Sequence, residues 1–375
     1  MMKKQILPLV VVAVIWLLIG WFGRGFFLSE DIVLIERVRQ GILTQYDGKP
    51  PSSRELTYGA IKGILARSGD PYAALLEPDA AQRYEADFAG ESGVIGLFPE
   101  FADGKMIVSV VFPDEPAAVA GLQVGDEIVS LDGVLVDSET SLTEAALLIR
   151  GPVGEAVEFV VRRDGQLLTF RPVRQVRTIV AAEMLEDGIG YVAQYTFTTN
   201  AAEQLTQALQ QLMAQQPRAI IWDLRSNGGG SMETAQAVLS QFVASGDLFY
   251  VSEKGDGRTT FPALGGGTAV SVPLVILIGE RTYSAAETSA LTVQESGRGT
   301  LIGGTTYGKG TVQATAPIAP DLLVQMTIGH WFSPQGRSID GVGVVPDIAV
   351  TDDPDTEVDE VLQAAVAYIE ENVAR

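Results

Sequence analysis

The chain has 375 residues, enough for two or three domains, and its 46% apolar residues and 40 glycines suit a folded α/β protein. A formal charge of −21 repels phosphate backbones, so nucleic-acid binding is set aside. With no cysteine and a single histidine, His330, the chain excludes disulfides, a cysteine nucleophile and thiolate or multi-histidine metal sites, so no metal or cofactor is expected.

The first segment predicts membrane attachment. Between Lys4 and Arg24 lie 19 uncharged residues, and Ile6 to Phe22 is almost wholly apolar. As a helix rising about 1.5 Å per residue it reaches roughly 28 Å, close to the thickness of a bilayer core. Lys3 and Lys4 before it predict a cytoplasmic N-terminus with the remainder extracytoplasmic, periplasmic or extracellular. The competing reading is a cleaved signal peptide, but the segment runs into Trp21, Phe22, Phe26 and Phe27 without a small-residue cleavage site. Residues 1–28 are therefore read as an anchor or signal, and residues 29–90 as a small helical region. Ile32, Ile35, Val38 and Ile42 share one helical face, and Leu56, Ala60, Ile61, Ile64 and Leu65 share another.

Residues 91–175 form the next module. Met106 to Phe112 and Glu127 to Leu131 read as strands, with a helical turn at Pro116–Ala120 and a turn at Asp132-Gly133. Ser141-Leu142-Thr143-Glu144 has capping-box spacing and opens a helix over Ala145–Ile149. Val157–Arg162 and Leu167–Arg171 make a hairpin across Asp164-Gly165. The run Pro116-Ala117-Ala118-Val119-Ala120-Gly121-Leu122, then Val124-Gly125-Asp126-Glu127-Ile128 and Leu131-Asp132-Gly133, resembles a PDZ domain. The resemblance implies capture of a peptide C-terminus as an added strand, with loop N–H groups on its carboxylate. The matching loop is Gly93-Val94-Ile95-Gly96-Leu97, and Val94 and Ile95 within it imply a preference for apolar tails.

Residues 176–375 alternate apolar strands and helices, which predicts a layered α/β core. Two strand-turn-helix units stand out: Ala219–Leu224 with the turn Arg225 to Gly230 and a helix over Met232–Val243, and Leu274–Ile278 with a turn to Tyr283 and a helix from Ser284. Both turns are expected at the carboxyl ends of adjacent strands, where α/β sheets place ligands. Ser284 then opens a helix whose unpaired N–H groups favour a developing oxyanion, with Ala285 as one donor and a glycine of the neighbouring turn as the other. Serine is also a preferred N-cap, so its position alone does not assign it a reaction. For the base there are His330, in an apolar strand, and seven lysines, of which Lys309 alone is framed by Gly308 and Gly310 at the head of a strand. A lysine serves as base when it is neutral, which demands burial. Residues 309, 311 and 313 alternate onto one face, so Lys309 and Gln313 point the same way.

Asp223-Leu224-Arg225-Ser226-Asn227-Gly228-Gly229-Gly230, Tyr283-Ser284-Ala285-Ala286-Glu287 and Gly308-Lys309-Gly310-Thr311-Val312-Gln313 resemble the three signature blocks of the carboxy-terminal processing (tail-specific) serine proteases. Gly69-Asp70-Pro71-Tyr72, Arg150-Gly151-Pro152-Val153-Gly154 and Gly341-Val342-Gly343-Val344-Val345-Pro346-Asp347 fall in the same order, so the likeness covers nearly everything after residue 30. It implies a crotonase-like α/β core with an inserted PDZ domain, Ser284 as nucleophile, Lys309 as general base and Gln313 as its orienting partner. It also implies an oxyanion hole from Ala285 with Gly228 or Gly229. Two positions depart from the family, which usually has Pro where Gly228 stands and often Ser where Ala286 stands.

The expected activity is that of an endopeptidase acting on proteins with apolar C-terminal tails. A PDZ inserted before the core can block or align the site, so peptide binding is expected to alter cleavage. The competing readings are an inactive PDZ-containing binding protein at the membrane and an acyl hydrolase on small esters. An adaptor protein or a second copy of the chain is left open as a partner. So is the packing of the acidic amphipathic segment from Thr356 to Val373.

Overall fold

The computed structural model describes residues 29–137, 140–176, 178–255, 257–352 and 358–373. The anchor expected over residues 1–28 lies outside them, and among the described residues no helix is long and apolar enough to cross a membrane. The chain divides at Arg67 into two units.

In the first unit, helix α1 (Glu30–Gln45) is capped by Ser29, which accepts from the Ile32 N–H, and carries Glu30 and Asp31 in its positive first turn. Helix α2 (Ser53–Ala66) starts with a full capping box between Ser52 and Glu55. Neither helix buries a residue.

The second unit opens with strand β1 (Ala74–Leu76) and helix α3 (Pro78–Ala89). β1 was not foreseen in a region expected to be helical. Three apolar residues are too short to show a period, and only the partner strand β16 (Leu322–Phe332) makes them a strand, pairing Ala74 with Gln325 and Leu76 with Leu323. The chain thus enters the core before it leaves for the PDZ-like module.

That module has a sheet in the order β2-β3-β4-β6-β7, made of β2 (Leu97–Ala102), β3 (Lys105–Val111), β4 (Glu127–Leu131), β6 (Phe159–Arg163) and β7 (Gln166–Phe170), with β5 (Val134–Leu135) on β4. The short α4 (Pro116–Ala120) and the capped α5 (Leu142–Ile149) complete it. The Asp132-Gly133 and Asp164-Gly165 turns have φ of 47° and 77°, and 51° and 77°, as two-residue hairpin turns require. Asp126 is buried and accepts from Arg163 at 2.6 and 2.7 Å and from the Gln123 N–H at 2.9 Å, which pins the Gly125-Asp126 corner.

The core holds two sheets. The first runs β17-β14-β13-β10-β9-β8, from β8 (Val180–Met184), β9 (Ile189–Gln194), β10 (Ala219–Asp223), β13 (Leu274–Ile278), β14 (Thr300–Gly303) and β17 (Ile348–Ala349). It is parallel except for β8. Every residue of β10 and β13 is buried, as expected of strands covered on both faces. Helices α6 (Ala201–Met213), α7 (Met232–Leu239) and α8 (Ala285–Glu295) contribute Leu205, Leu209, Val238 and Ala290 to one apolar layer. The C-terminal α9 (Glu360–Asn372) seats Val361, Ala365 and Ile369 on the other, against Ile221, Leu277 and Ile302. That settles the packing of the acidic segment: it lies on the core. Its register is locked by Arg225, which donates to Asp359 at 2.7 and 2.8 Å and to Asp223 at 2.7 Å. α7 ends at Leu239, four residues earlier than predicted, because Ser240 closes it and its hydroxyl bonds back to the Gln236 carbonyl.

The second core sheet joins β1, β16, β11 (Asp247–Glu253) and β12 (Gly257–Pro262), with β15 (Thr311–Ala319) on the other side of β16's run. β15 and β16 carry Gln313 and Thr327 as register partners.

Candidate active site

The parallel pair β10 and β13 puts the turn carrying Gly228 to Gly230 beside the one carrying Ser284. The two turns are tied: the Tyr283 N–H donates to the Asn227 carbonyl at 2.9 Å and Thr282 Oγ1 to the Leu224 carbonyl at 2.9 Å. Ser284 precedes α8 with φ 55° and ψ −116°, whereas an ordinary serine N-cap lies in the extended region. A non-glycine residue held there stores about 1–3 kcal/mol of backbone strain and marks a place where position matters more than comfort. Ser284 thus caps α8 from a strained strand-to-helix turn.

The N–H of Ala285 meets no acceptor among the described residues. Gly229 lies against it: a Cβ there would stand 3.1 Å from Ala285 N and 2.7 Å from the Tyr283 carbonyl oxygen. The Gly229 N–H, however, is held by Asn227 Oδ1 at 2.9 Å, while the Gly228 N–H has only a long 3.4 Å contact to the Tyr195 carbonyl. Of the two glycines, Gly228 has the freer donor. The structure also gives a reason for glycine at 228, since a Cβ would lie 2.6 Å from Cζ of Phe98 on β2.

Lys309 sits just before β15 with its backbone clamped on both sides. Its N–H donates to Glu287 Oε2 at 2.9 Å, and its carbonyl accepts from Trp331 Nε1 at 3.2 Å. Nζ donates to Gln313 Oε1 at 2.7 Å and to the Thr311 carbonyl at 3.3 Å, and lies 4.7 Å from the centre of the Tyr72 ring. Burial lowers its pKa from 10.5 to about 8, against the opposing pull of Glu287, Asp340 and Asp70. The sign of the linked stability follows. The folded state resists the proton, so the cost is full below pH 8 and disappears as pH rises from about 8 towards 10.5. Lys309→Met is expected to stabilise the fold at pH 7 by about 2–3 kcal/mol and to lose that advantage near pH 10, measured by thermal unfolding at both values.

Ser284, Lys309, Gln313, Gly228 and Gly229 line one cavity of 520 Å³, together with apolar Phe197, Met232, Val251 and Phe261. His330 is not among its lining residues; it pairs with Thr311 and Ser252 in the sheet and stands 3.5 Å from Asp340.

Of the predicted peptide loop, Gly93 and Val94 have their N–H groups engaged by the carbonyls of Gly151 and Gln175. Those of Ile95 and Gly96 donate to no acceptor among the described residues, and Leu97 begins β2, an edge strand paired only with β3. The Ile95 side chain is buried in the module's own core, whereas Val94 lines the cavity. β2 also touches the loops before Ser284 and Lys309, with the Phe98 ring 5.6 Å from that of Tyr283 and Glu100 accepting from the Tyr307 hydroxyl at 2.9 Å.

Sequence reasoning missed Glu287 as a site residue. Its buried carboxylate accepts from the N–H groups of Ser284 (2.8 Å), Gly308 (2.6 Å) and Lys309 (2.9 Å) and from Thr306 Oγ1 (2.6 Å). Burial pushes its pKa up, and these four donors hold it down. The Ser-x-x-Glu spacing was visible, but it signals only the bond to the Ser284 N–H.

Comparisons with known proteins show what the chain is similar to. Residues 188–350 match the Peptidase family S41, and residues 107–163 match a PDZ domain. Over 325 residues the chain is 30% identical to the carboxy-terminal processing protease CtpB of Bacillus subtilis (strain 168), covering 84% of this chain and 67% of that protein. Over 317 residues it is 31% identical to the carboxyl-terminal-processing protease of Synechocystis sp. (strain ATCC 27184 / PCC 6803 / Kazusa), covering 82% and 74%. Among solved structures, the photosystem II D1 C-terminal processing protease superposes with a TM-score of 0.66 at 27% identity over 86% of this chain and 94% of that one.

Proposed function

The chain belongs to the carboxy-terminal processing proteases, serine-type peptidases of family S41 with a PDZ domain, and on that premise we propose that it cleaves proteins captured by an apolar C-terminal tail through a Ser284–Lys309 dyad. The observation that carries this reading is Lys309: a lysine with a depressed pKa in the cavity that holds a strained serine at a helix start. A neutral amine has two protons and one lone pair. The two protons serve Gln313 Oε1 and the Thr311 carbonyl, which leaves the lone pair for the Ser284 hydroxyl proton.

In this mechanism Ser284 Oγ attacks the scissile carbonyl carbon as Lys309 takes its proton. The Ala285 and Gly228 N–H groups bind the resulting oxyanion. The Lys309 ammonium then protonates the leaving amine, and Lys309, neutral again, draws a proton from the water that releases the acyl group. Gln313 keeps Nζ aimed throughout. The core is read as crotonase-like. Nothing in the site favours an inactive binding protein.

The tail adds to the open edge of β2, with its carboxylate on the Ile95 and Gly96 N–H groups and an apolar side chain near Val94. Addition there bears directly on Phe98 and Glu100, and so is expected to change the cleavage rate. Residues 1–28 are read as an anchor holding the catalytic part on the extracytoplasmic side.

The test uses the full chain in detergent with an unfolded protein ending either in an apolar tail or in the same tail closed by two aspartates. The apolar version is expected to be cut at least tenfold faster, and equal rates would overturn tail recognition. kcat/KM is expected to rise with pH through about 8 and then level, because the base works only when neutral; a flat profile from pH 6 to 10 contradicts a lysine base.

A further inference from the structure

Lys309 is held by a chain of hydrogen bonds that leaves its own strand. Gln313 Nε2 donates to Thr327 Oγ1 on β16 at 3.1 Å, and also to Thr311 Oγ1 at 3.0 Å. Thr327 in turn gives both its donors to Asp70: Oγ1 to Oδ1 at 3.0 Å and N–H to Oδ2 at 2.7 Å. The direction of each bond follows from the acid at the end. An ionised carboxylate only accepts, so the Thr327 hydroxyl must spend its proton on Asp70, and Oγ1 is left to accept from the Gln313 amide. That places the NH2 of Gln313 on Thr327 and turns its oxygen to Lys309. With the opposite orientation Gln313 would present donors to Nζ, and the amine could satisfy them only with the lone pair needed for Ser284.

Asp70 is itself fixed. Oδ1 accepts from the Tyr72 N–H at 3.0 Å. The carbonyls of Pro71 and Tyr72 accept from the first turn of α5, the Leu142 N–H at 2.9 Å and Thr143 Oγ1 at 2.9 Å. The Tyr72 hydroxyl lies 3.1 Å from that of Tyr283, the neighbour of Ser284. A segment far from the catalytic blocks in sequence therefore reaches both the base and the residue beside the nucleophile.

We propose that Asp70 is a positioning residue for the base: through Thr327 it sets the orientation of Gln313, and through Gln313 the aim of the Lys309 amine. This rests on the reading of Lys309 as the base.

The test measures kcat and KM on a tailed protein substrate with the full chain. Asp70→Asn cannot accept from both Thr327 donors and is expected to lower kcat about 10- to 100-fold with KM within twofold of the parent, since a base misaimed by a fraction of an ångström costs that much. Thr327→Val cuts the same link at nearly constant volume and is expected to match it, while Thr327→Ser, which keeps the hydroxyl, retains at least half of the parent kcat. The double variant Asp70→Asn/Thr327→Val is expected to be no slower than the slower single one. If Asp70→Asn does not fold, the two Thr327 variants decide alone. Parent-like kcat in Thr327→Val overturns the proposal, and so do losses that multiply in the double variant or fall on KM. Lys309→Ala separates the two ideas: if it still cleaves, the base assignment fails, and if it is dead while Thr327→Val is unimpaired, only the relay fails.

Discussion

Ser284→Ala and Lys309→Ala are each expected to lower kcat by about 10⁴-fold or more, with the double variant no worse than either, when cleavage is followed by mass spectrometry. The non-additivity is the informative part. A nucleophile without its base and a base without its nucleophile leave the same residue of catalysis, namely what Ala285, Gly228 and substrate binding supply alone. Losses that multiplied would mean that the two side chains act on separate steps, and a Lys309→Ala enzyme within tenfold of the parent would remove the dyad altogether. Tail binding should survive in both variants, because β2 and the Ile95-Gly96 loop contain neither residue.

Glu287→Gln has the next largest expected effect, a fall in kcat of about 10²-fold together with a loss of about 2–4 kcal/mol in stability. The present carboxylate faces four donors, two on each oxygen: Thr306 Oγ1 and the Gly308 N–H on Oε1, the Ser284 and Lys309 N–H groups on Oε2. A carboxamide has one acceptor oxygen, so whichever way it turns, its NH2 meets two donors, and each buried donor left unpaired costs about 1–3 kcal/mol. Turned one way it loses the bond that sets the strained backbone of Ser284 and the bond that sets Lys309. Turned the other it releases the loop at Thr306 and Gly308. Kinetics and thermal unfolding check both numbers. A variant with parent stability and parent kcat would mean that the four contacts do not hold the two turns in register.

Much of this protein was legible in the sequence because its signals are local. The capping box at Ser141, the Asp-Gly turns and the largely apolar strands before Arg225 and Gly279 are spacings of a few residues, and each specifies its own geometry through backbone sterics and unpaired helix-end N–H groups. The order of the three signature blocks likewise pointed to the family that the comparisons support.

Strand β1 escaped, since three apolar residues carry no period and become a strand only when β16 is beside them. That Ile95 turns into the module's core while Val94 lines the cavity was not legible for a related reason: alternation decides which side a residue faces, and only the packing of the module decides which side is its core.

What the sequence by itself determined is the inventory: a serine at a helix start, a lysine between glycines, a carboxylate three residues after the serine and a PDZ module, with one histidine and no cysteine to compete. What only the tertiary structure decided is how those groups are charged and aimed. The lowered pKa of Lys309 comes from desolvation by segments distant in sequence. Of the two turn glycines Gly228 has the freer N–H because the Asn227 side chain claims that of Gly229. Asp70 reaches Gln313 only because β15 and β16 place Gln313 and Thr327 side by side. Desolvation and through-space hydrogen bonds depend on which atoms surround a group, and residues 70, 227, 284, 309 and 327 become neighbours only when the chain has folded.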